Sequence, residues 1–140
     1  MSRRLPGRVE VTARGKLNLR LAVGPVRPDG FHDLVTVFQS ISLADTLVAE
    51  RAPRGFTLEI RWEDAALAGG PGPGARGSIP PGAENLVLRA AERVRAALGI
   101  RGGARFRLVK RIPAQSGMGG GSADAAAAIE AMLALYGARL

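Results

Sequence analysis

The stretch Gly117-Met118-Gly119-Gly120-Gly121-Ser122 limits what this chain can fold into more than any other. It follows a strand-like segment, Arg105–Ile112, in which Phe106, Leu108 and Ile112 share one parity, and a loop from Pro113. It precedes Ser122–Tyr136, an Ala-rich segment that reads as a helix ended by Gly137. The first amides of a helix have no partner within it and carry the positive end of its dipole, so an anion is favoured there. Glycines let the backbone approach phosphate oxygens without a Cβ in the way. Ser122 is expected to cap the helix and to offer its hydroxyl to a phosphate or a metal, and Asp124, in the first turn, to complement the dipole. Ala125–Ala128 lets the helix pack closely on a sheet. Two better-known loops are excluded: no Lys follows the glycines as a Walker A loop needs, and Ser122 stands where a Rossmann fingerprint needs Gly. A flexible linker with Ser122 as an ordinary N-cap is the plainer alternative.

Ahead of that loop the chain reads as sheet followed by helix. Residues 8–23 alternate as one or two half-buried strands, and Gly24-Pro25 with Arg27-Pro28-Asp29-Gly30 form a turn-rich loop. Leu34–Leu43, Thr46–Glu50 and Phe56–Trp62 read as three further strands of an antiparallel-looking sheet. Ala68–Gly82 collapses to Gly, Pro and Ala and is expected to be a mobile surface loop. A helix over Glu84–Leu98 carries Leu86, Ala90, Val94 and Ala97 at helical spacing and stops at Gly99. One domain suffices for 140 residues.

With no cysteine and one histidine, disulfides, thiol nucleophiles and Cys- or His-type metal clusters are excluded. No apolar run is long enough to span a bilayer, and the basic start lacks the apolar core of a secretory signal, so a cytoplasmic enzyme without membrane attachment is expected. The formal charge of +8 could serve nucleic acid, but the basic residues are scattered singly, often beside acids, which reads as a solvated face. Of the 20 basic residues only Lys16 and Lys110 are lysine, which marks both as places where a compact ammonium is wanted.

Extended to Pro113-Ala114-Gln115-Ser116-Gly117-Met118-Gly119-Gly120-Gly121-Ser122-Ala123-Asp124-Ala125-Ala126, the loop resembles the phosphate-binding motif of the GHMP kinases, the superfamily of galactokinase and the homoserine, mevalonate and phosphomevalonate kinases. Ala13-Arg14-Gly15-Lys16-Leu17-Asn18-Leu19 and Arg27-Pro28-Asp29-Gly30-Phe31-His32-Asp33-Leu34 resemble the branch that phosphorylates a cytidyl diphosphate of methylerythritol in non-mevalonate isoprenoid (terpenoid) biosynthesis. Glu84-Asn85-Leu86-Val87-Leu88-Arg89-Ala90-Ala91 resembles the family's Asn-Leu helix start.

The resemblance implies an α+β fold, the GHMP N-terminal domain, ribosomal-protein-domain-2-like, with a mostly antiparallel sheet packed with helices. It implies transfer of the γ-phosphoryl group of ATP to a 2-hydroxyl, with Mg²⁺ carried by the nucleotide. Lys16 then matches the catalytic lysine, and Asn18, two residues on and on the same strand face, a substrate contact. Phe31 and His32 match the pair that clamps cytosine, Phe31 standing where Tyr is more usual. Asn85, Leu86 and Lys110 match the adenine neighbourhood. Pro113, Ala114, Gln115, Ser116, Gly117, Met118, Gly119, Gly120, Gly121, Ser122 and Ala123 match the phosphate loop, and Ser122 also lies near the metal.

The likeness breaks at three places. Gln115-Ser116 stand where glycines are common. The family's catalytic Asp belongs to a Gly-Ser/Ala-Asp-Val-Pro segment expected beyond Leu140, and the second, cleft-closing domain is expected there too. The 140 residues alone are therefore expected to bind nucleotide weakly and turn over poorly or not at all. Two other readings stay open: another GHMP kinase, such as a mevalonate or homoserine kinase, or a basic nucleic-acid-binding module on the same kind of fold.

Overall fold

The computed structural model describes residues 5–63 and 79–139. Most of the expected loop at Ala68–Gly82 lies outside them. The described chain runs β1 (Arg8–Val26), β2 (His32–Ala52), β3 (Phe56–Trp62), α1 (Leu86–Leu98), β4 (Gly103–Lys110) and α2 (Gly120–Tyr136). The strands form one sheet in the order β1-β2-β4-β3. The β1–β2 and β2–β4 pairs are antiparallel, but β3 and β4 run parallel, joined through α1, so the sheet is mixed where its strand pattern alone reads as antiparallel.

Alternation of side chains decides which face is covered. Val9, Val11 and Ala13 on β1, Leu47 and Ala49 on β2, and Ala104, Phe106 and Leu108 on β4 point inward and meet both helices. The α2 stripe Ala127, Ala128, Ala131, Met132 and Leu135 is fully or almost fully buried, and its small residues let the helix lie close to β1 and β2. The opposite face is polar: Glu50 lies 4.0 Å from Arg8 and 3.6 Å from Arg105, and Glu59 lies 2.7 Å from Arg61 and 3.5 Å from Arg107. These exposed pairs add little stability, but they show where the many arginines go: onto a solvated face already matched with acids.

The long strands β1 and β2 each have two halves. The ladder pairs Arg14 with Ala44 and then Lys16 with Ser40, so Gly15 stands opposite the three residues 41–43 and the ribbon changes direction. A Cβ at Gly15 would already touch Ile41 and the Leu43 carbonyl at 3.3 Å. Below this bulge the strands belong to the core. Above it they form a two-stranded ribbon whose apolar groups stay exposed, among them Leu19, Val23, Phe31, Val35 and Phe38. The bulge is why β2 reads as two strands in sequence. Gly24–Val26, expected as loop, continue β1, and the turn is confined to residues 27–31.

Elsewhere the expected boundaries shift a little. The N-cap of α1 is Asn85, whose side-chain Oδ1 accepts from the Val87 amide at 2.9 Å, and the helix ends at Gly99 in the left-handed region (φ 61°). Its buried face is Val87, Leu88, Ala90, Ala91 and Val94, while Leu86 and Ala97, expected on that face, are exposed. β4 ends at Lys110, so Ile112 is buried from the loop beyond it. Gly103 admits no side chain at all, because its Cβ would overlap the Gly55 carbonyl.

Candidate active site

The glycine loop lies between the end of β4 and the start of α2, and its conformation needs its glycines. Gly117 (φ 75°) and Gly119 (φ 71°) are both left-handed, and Gly119, not Ser122, is the N-cap residue of α2. No side chain caps this helix. Its first amides, at Gly120, Gly121 and Ser122, therefore have no intrahelical partner, and all three residues line a cleft of about 390 Å³. That volume suits a small-molecule ligand.

The cleft joins two surfaces. Ile79, Pro80, Leu86, Pro113 and Ala114 make an apolar wall, and Gln115, Ser116, Gly117 and Gly119–Ser122 make the loop side. Asn85 also lines it, but its side chain is spent on structure, donating to the Pro80 carbonyl at 2.7 Å while capping α1. Met118 and Ala123 do not line it. Met118 instead gives its carbonyl to the Lys16 amide at 3.0 Å, a bond that ties β1 to the loop just past the bulge.

That bond brings Lys16 to the site. Its side chain lies along Gly119, where a Cβ would stand 3.3 Å from Lys16 Cε. Its Nζ donates to Asn18 Oδ1 and sits 5.5 Å above the Phe38 ring. Asn18 Nδ2 in turn donates to Thr36 Oγ1 at 2.9 Å, so polar groups run from the loop up one face of the ribbon. Phe31 and His32 are not brought to this point. They lie at the far end of the ribbon, where His32 Nδ1 is 2.7 Å from the Gly24 carbonyl and pairs across to Val26, ten residues and roughly 30 Å of strand beyond Lys16.

Lys110 is placed differently from Lys16. It is buried beneath the loop, its Nζ shared between Asp45 Oδ2 and, at 2.8 Å, Asp124 Oδ2. Asp124 therefore does not serve the helix dipole. It heads the buried stripe of α2 and lines the floor of the cleft, with Oδ1 buried and unpartnered. Burial pushes its carboxyl up to about 7 against the pull of Lys110. The folded state thus binds this proton more tightly than the unfolded chain does. The stabilising contribution is complete below pH 4 and is lost as pH rises towards 7. Asp124→Asn is expected to flatten that fall in urea-unfolding stability measured from pH 4 to 8; an unchanged slope would contradict the assignment.

Asp45 was not visible as a site residue in the sequence. A signal was there: Asp45 continues the inward parity of Leu47 and Ala49, where a charge must have a partner. Gln115 explains another oddity, the absence of an expected glycine. It is the one non-glycine residue among those described with a positive φ (58°). Gln115→Gly is expected to raise stability by about 0.5–1 kcal/mol, the left-handed strain relieved less the added chain entropy. A lower thermal midpoint would show that the Gln side chain holds the loop.

This arrangement of sheet, glycine loop and helix agrees with a known family. The GHMP kinases N terminal domain matches residues 85–140. Those residues carry the N-terminal domain of the GHMP kinases. It is 48% identical over 125 residues to the 4-diphosphocytidyl-2-C-methyl-D-erythritol kinase of Pelotomaculum thermopropionicum, covering 89% of this chain and 39% of that one. To the enzyme of the same name from Salinispora arenicola it is 47% identical over 135 residues, covering 96% of this chain and 38% of the relative. A crystal structure of 4-(cytidine 5'-diphospho)-2C-methyl-D-erythritol kinase superposes with a TM-score of 0.74 at 41% identity, over 94% of this chain and 42% of that one. A homoserine kinase from Cytophaga hutchinsonii, 22% identical with a TM-score of 0.67 over 100% of this chain and 39% of its own, shares the fold. The chain thus spans about two fifths of the length of the curated relatives it matches.

Proposed function

We propose that residues 1–140 are the ATP-binding N-terminal domain of a kinase that moves the γ-phosphoryl group of ATP to the 2-hydroxyl of 4-diphosphocytidyl-2-C-methyl-D-erythritol. The observation that carries this is the uncapped start of α2 opening on the cleft, with Lys16 laid against Gly119. The free amides of Gly120, Gly121 and Ser122 would hold the triphosphate, and the apolar wall with Leu86 and Pro113 would take the adenine. Phosphoryl transfer needs in-line placement and neutralised charge more than covalent help, and Lys16 offers a point charge at the loop's edge. Asn18 would orient the acceptor from the same face.

Ser122 fits a role beside Mg²⁺ in one respect: its exposed hydroxyl lines the cleft. Among the described residues no group of three or more His, Asp or Glu could hold a metal, so phosphates and water would supply the remaining ligands. The ion would neutralise charge on the phosphates. Phe31 and His32 would read the cytosine by stacking and edge hydrogen bonds. For that pair to meet a base whose polyol end lies at Lys16, the ribbon has to bend at its irregular pairings, between Asn18 and Arg20 and between Val23 and Val26.

The catalytic carboxylate and a C-terminal GHMP domain, which would also cover the apolar ribbon, are proposed to come from outside these residues. Asp45 and Asp124, the buried acids near the loop, are held by Lys110 and not by Lys16. A polypeptide of these residues alone is accordingly proposed to lack turnover. No described helix is long and apolar enough to cross a membrane, and a cytoplasmic location is proposed with the pathway. The test is ³¹P NMR of the full natural chain with ATP and the cytidyl substrate. It should show ADP and a new monophosphate ester on the 2-hydroxyl; phosphorylation of homoserine or mevalonate instead would reject the substrate.

A further inference from the structure

Three inward rows of side chains end at one corner beneath the glycine loop. On β2 the row Ala49, Leu47 runs into Asp45, on β4 Phe106, Leu108 runs into Lys110, and on α2 the buried stripe begins at Asp124. Taking three ionisable side chains out of water is costly, and apolar side chains of similar volume would fill such a corner at least as stably. The hydrogen bonds show what the charges add. Asp45 Oδ1 accepts from the amides of Arg111 at 2.6 Å and Ile112 at 2.9 Å, the first two residues past β4. Asp45 Oδ2 takes the Lys110 ammonium, which also donates to Asp124 at 2.8 Å. One carboxylate thus holds the point where the chain leaves the sheet and, through one ammonium, the point where it enters the helix.

Between those points lie Gln115, Gly117 and Gly119, all with positive φ. A loop in sparsely populated conformations keeps its shape only while its surroundings fix it. Gly120 rests directly on the brace: a Cβ there would stand 2.9 Å from Ile112 Cγ2 and 3.3 Å from Lys110 Nζ. Asp45 itself is fully buried and does not line the cleft.

We infer that Asp45 is a positioning residue for the nucleotide, fixing the loop between β4 and α2 through Lys110 and Asp124 without touching the ligand. This rests on the reading of the loop as a seat for ATP. Asp45→Asn keeps the shape but cannot accept from both amides and from Lys110 at once, because one of its two atoms is now a donor. In the full natural chain, at a temperature where circular dichroism shows the variant folded, it should raise the KM for ATP at least tenfold. The KM for the cytidyl substrate should stay within twofold. If Asp45→Asn does not fold, Asp124→Ala, which removes only the acceptor of the far arm, should show the same split. Where both fold, the double variant should raise the ATP KM by less than the product of the two single changes, since the two carboxylates share one ammonium. An ATP KM within twofold of the parent's in a folded variant, or effects that multiply, overturns the inference while the seat stands. A parent protein that fails to bind ATP removes the seat and the inference together.

Discussion

Lys110→Met is expected to lower unfolding stability by about 3–5 kcal/mol and the thermal midpoint by about 10–20 °C. Met fills nearly the same volume, so little of this comes from packing. The loss comes from what stays behind. Asp45 retains two backbone amides, but Asp124 keeps no polar partner, and it already has one buried oxygen without a bond. Without the ammonium that pulled it down, the Asp124 carboxyl rises further, and at neutral pH it must hold its proton or drag water in beside Asp45. The matched control is Lys110→Met combined with Asp45→Asn and Asp124→Asn, which removes the charges with the ammonium and should recover most of the loss. A single variant that loses less than about 1 kcal/mol would mean that the ion pairs are broken or hydrated in solution.

Lys16→Met is expected to act on chemistry. In the full natural chain kcat should fall about a thousandfold, the scale seen when one preorganised group that meets transition-state charge is lost. The affinity for ATP should change by less than about threefold, because the methylene stem that lies along Gly119 is kept and the loop amides are untouched. The bond from the Lys16 amide to the Met118 carbonyl belongs to the backbone and survives as well. The contrast with Lys110 is the informative part. Two lysines in a chain otherwise basic through arginine sit on opposite sides of one loop, Lys16 partly open at its edge and Lys110 sealed below it. One is expected to govern rate, the other the fold. A Lys16→Met enzyme with kcat within tenfold of the parent's would end the catalytic assignment.

Much of this was legible in the residues because local chemistry dictated it. A glycine loop, a helix start with unpartnered amides and a strand with inward Phe106 and Leu108 all follow from patterns with short range. The bend at Gly15 was not legible, since residues 41–43, two more than the one they face, become a bulge only against a partner strand. The parallel β3–β4 pair was missed for the same reason: strand direction is set by the α1 crossover, not by alternation within Phe56–Trp62. Asp124 was misplaced because its position near a helix start suggested a dipole role, while burial by the sheet made it a partner for Lys110. Phe31 and His32 were legible as a motif, but where a ribbon tip lies relative to Lys16 depends on how far the ribbon bends.

The central claim is that the amides opening α2 hold the triphosphate, and glycine-selective ¹⁵N NMR of the full natural chain tests it most directly. On titration with ATP, the amide signals of Gly117, Gly119, Gly120 and Gly121 should move together and saturate at one dissociation constant, while Gly55 and Gly99, away from the cleft, stay still. Loop glycine amides that remain unmoved while ATP saturates the protein would contradict it.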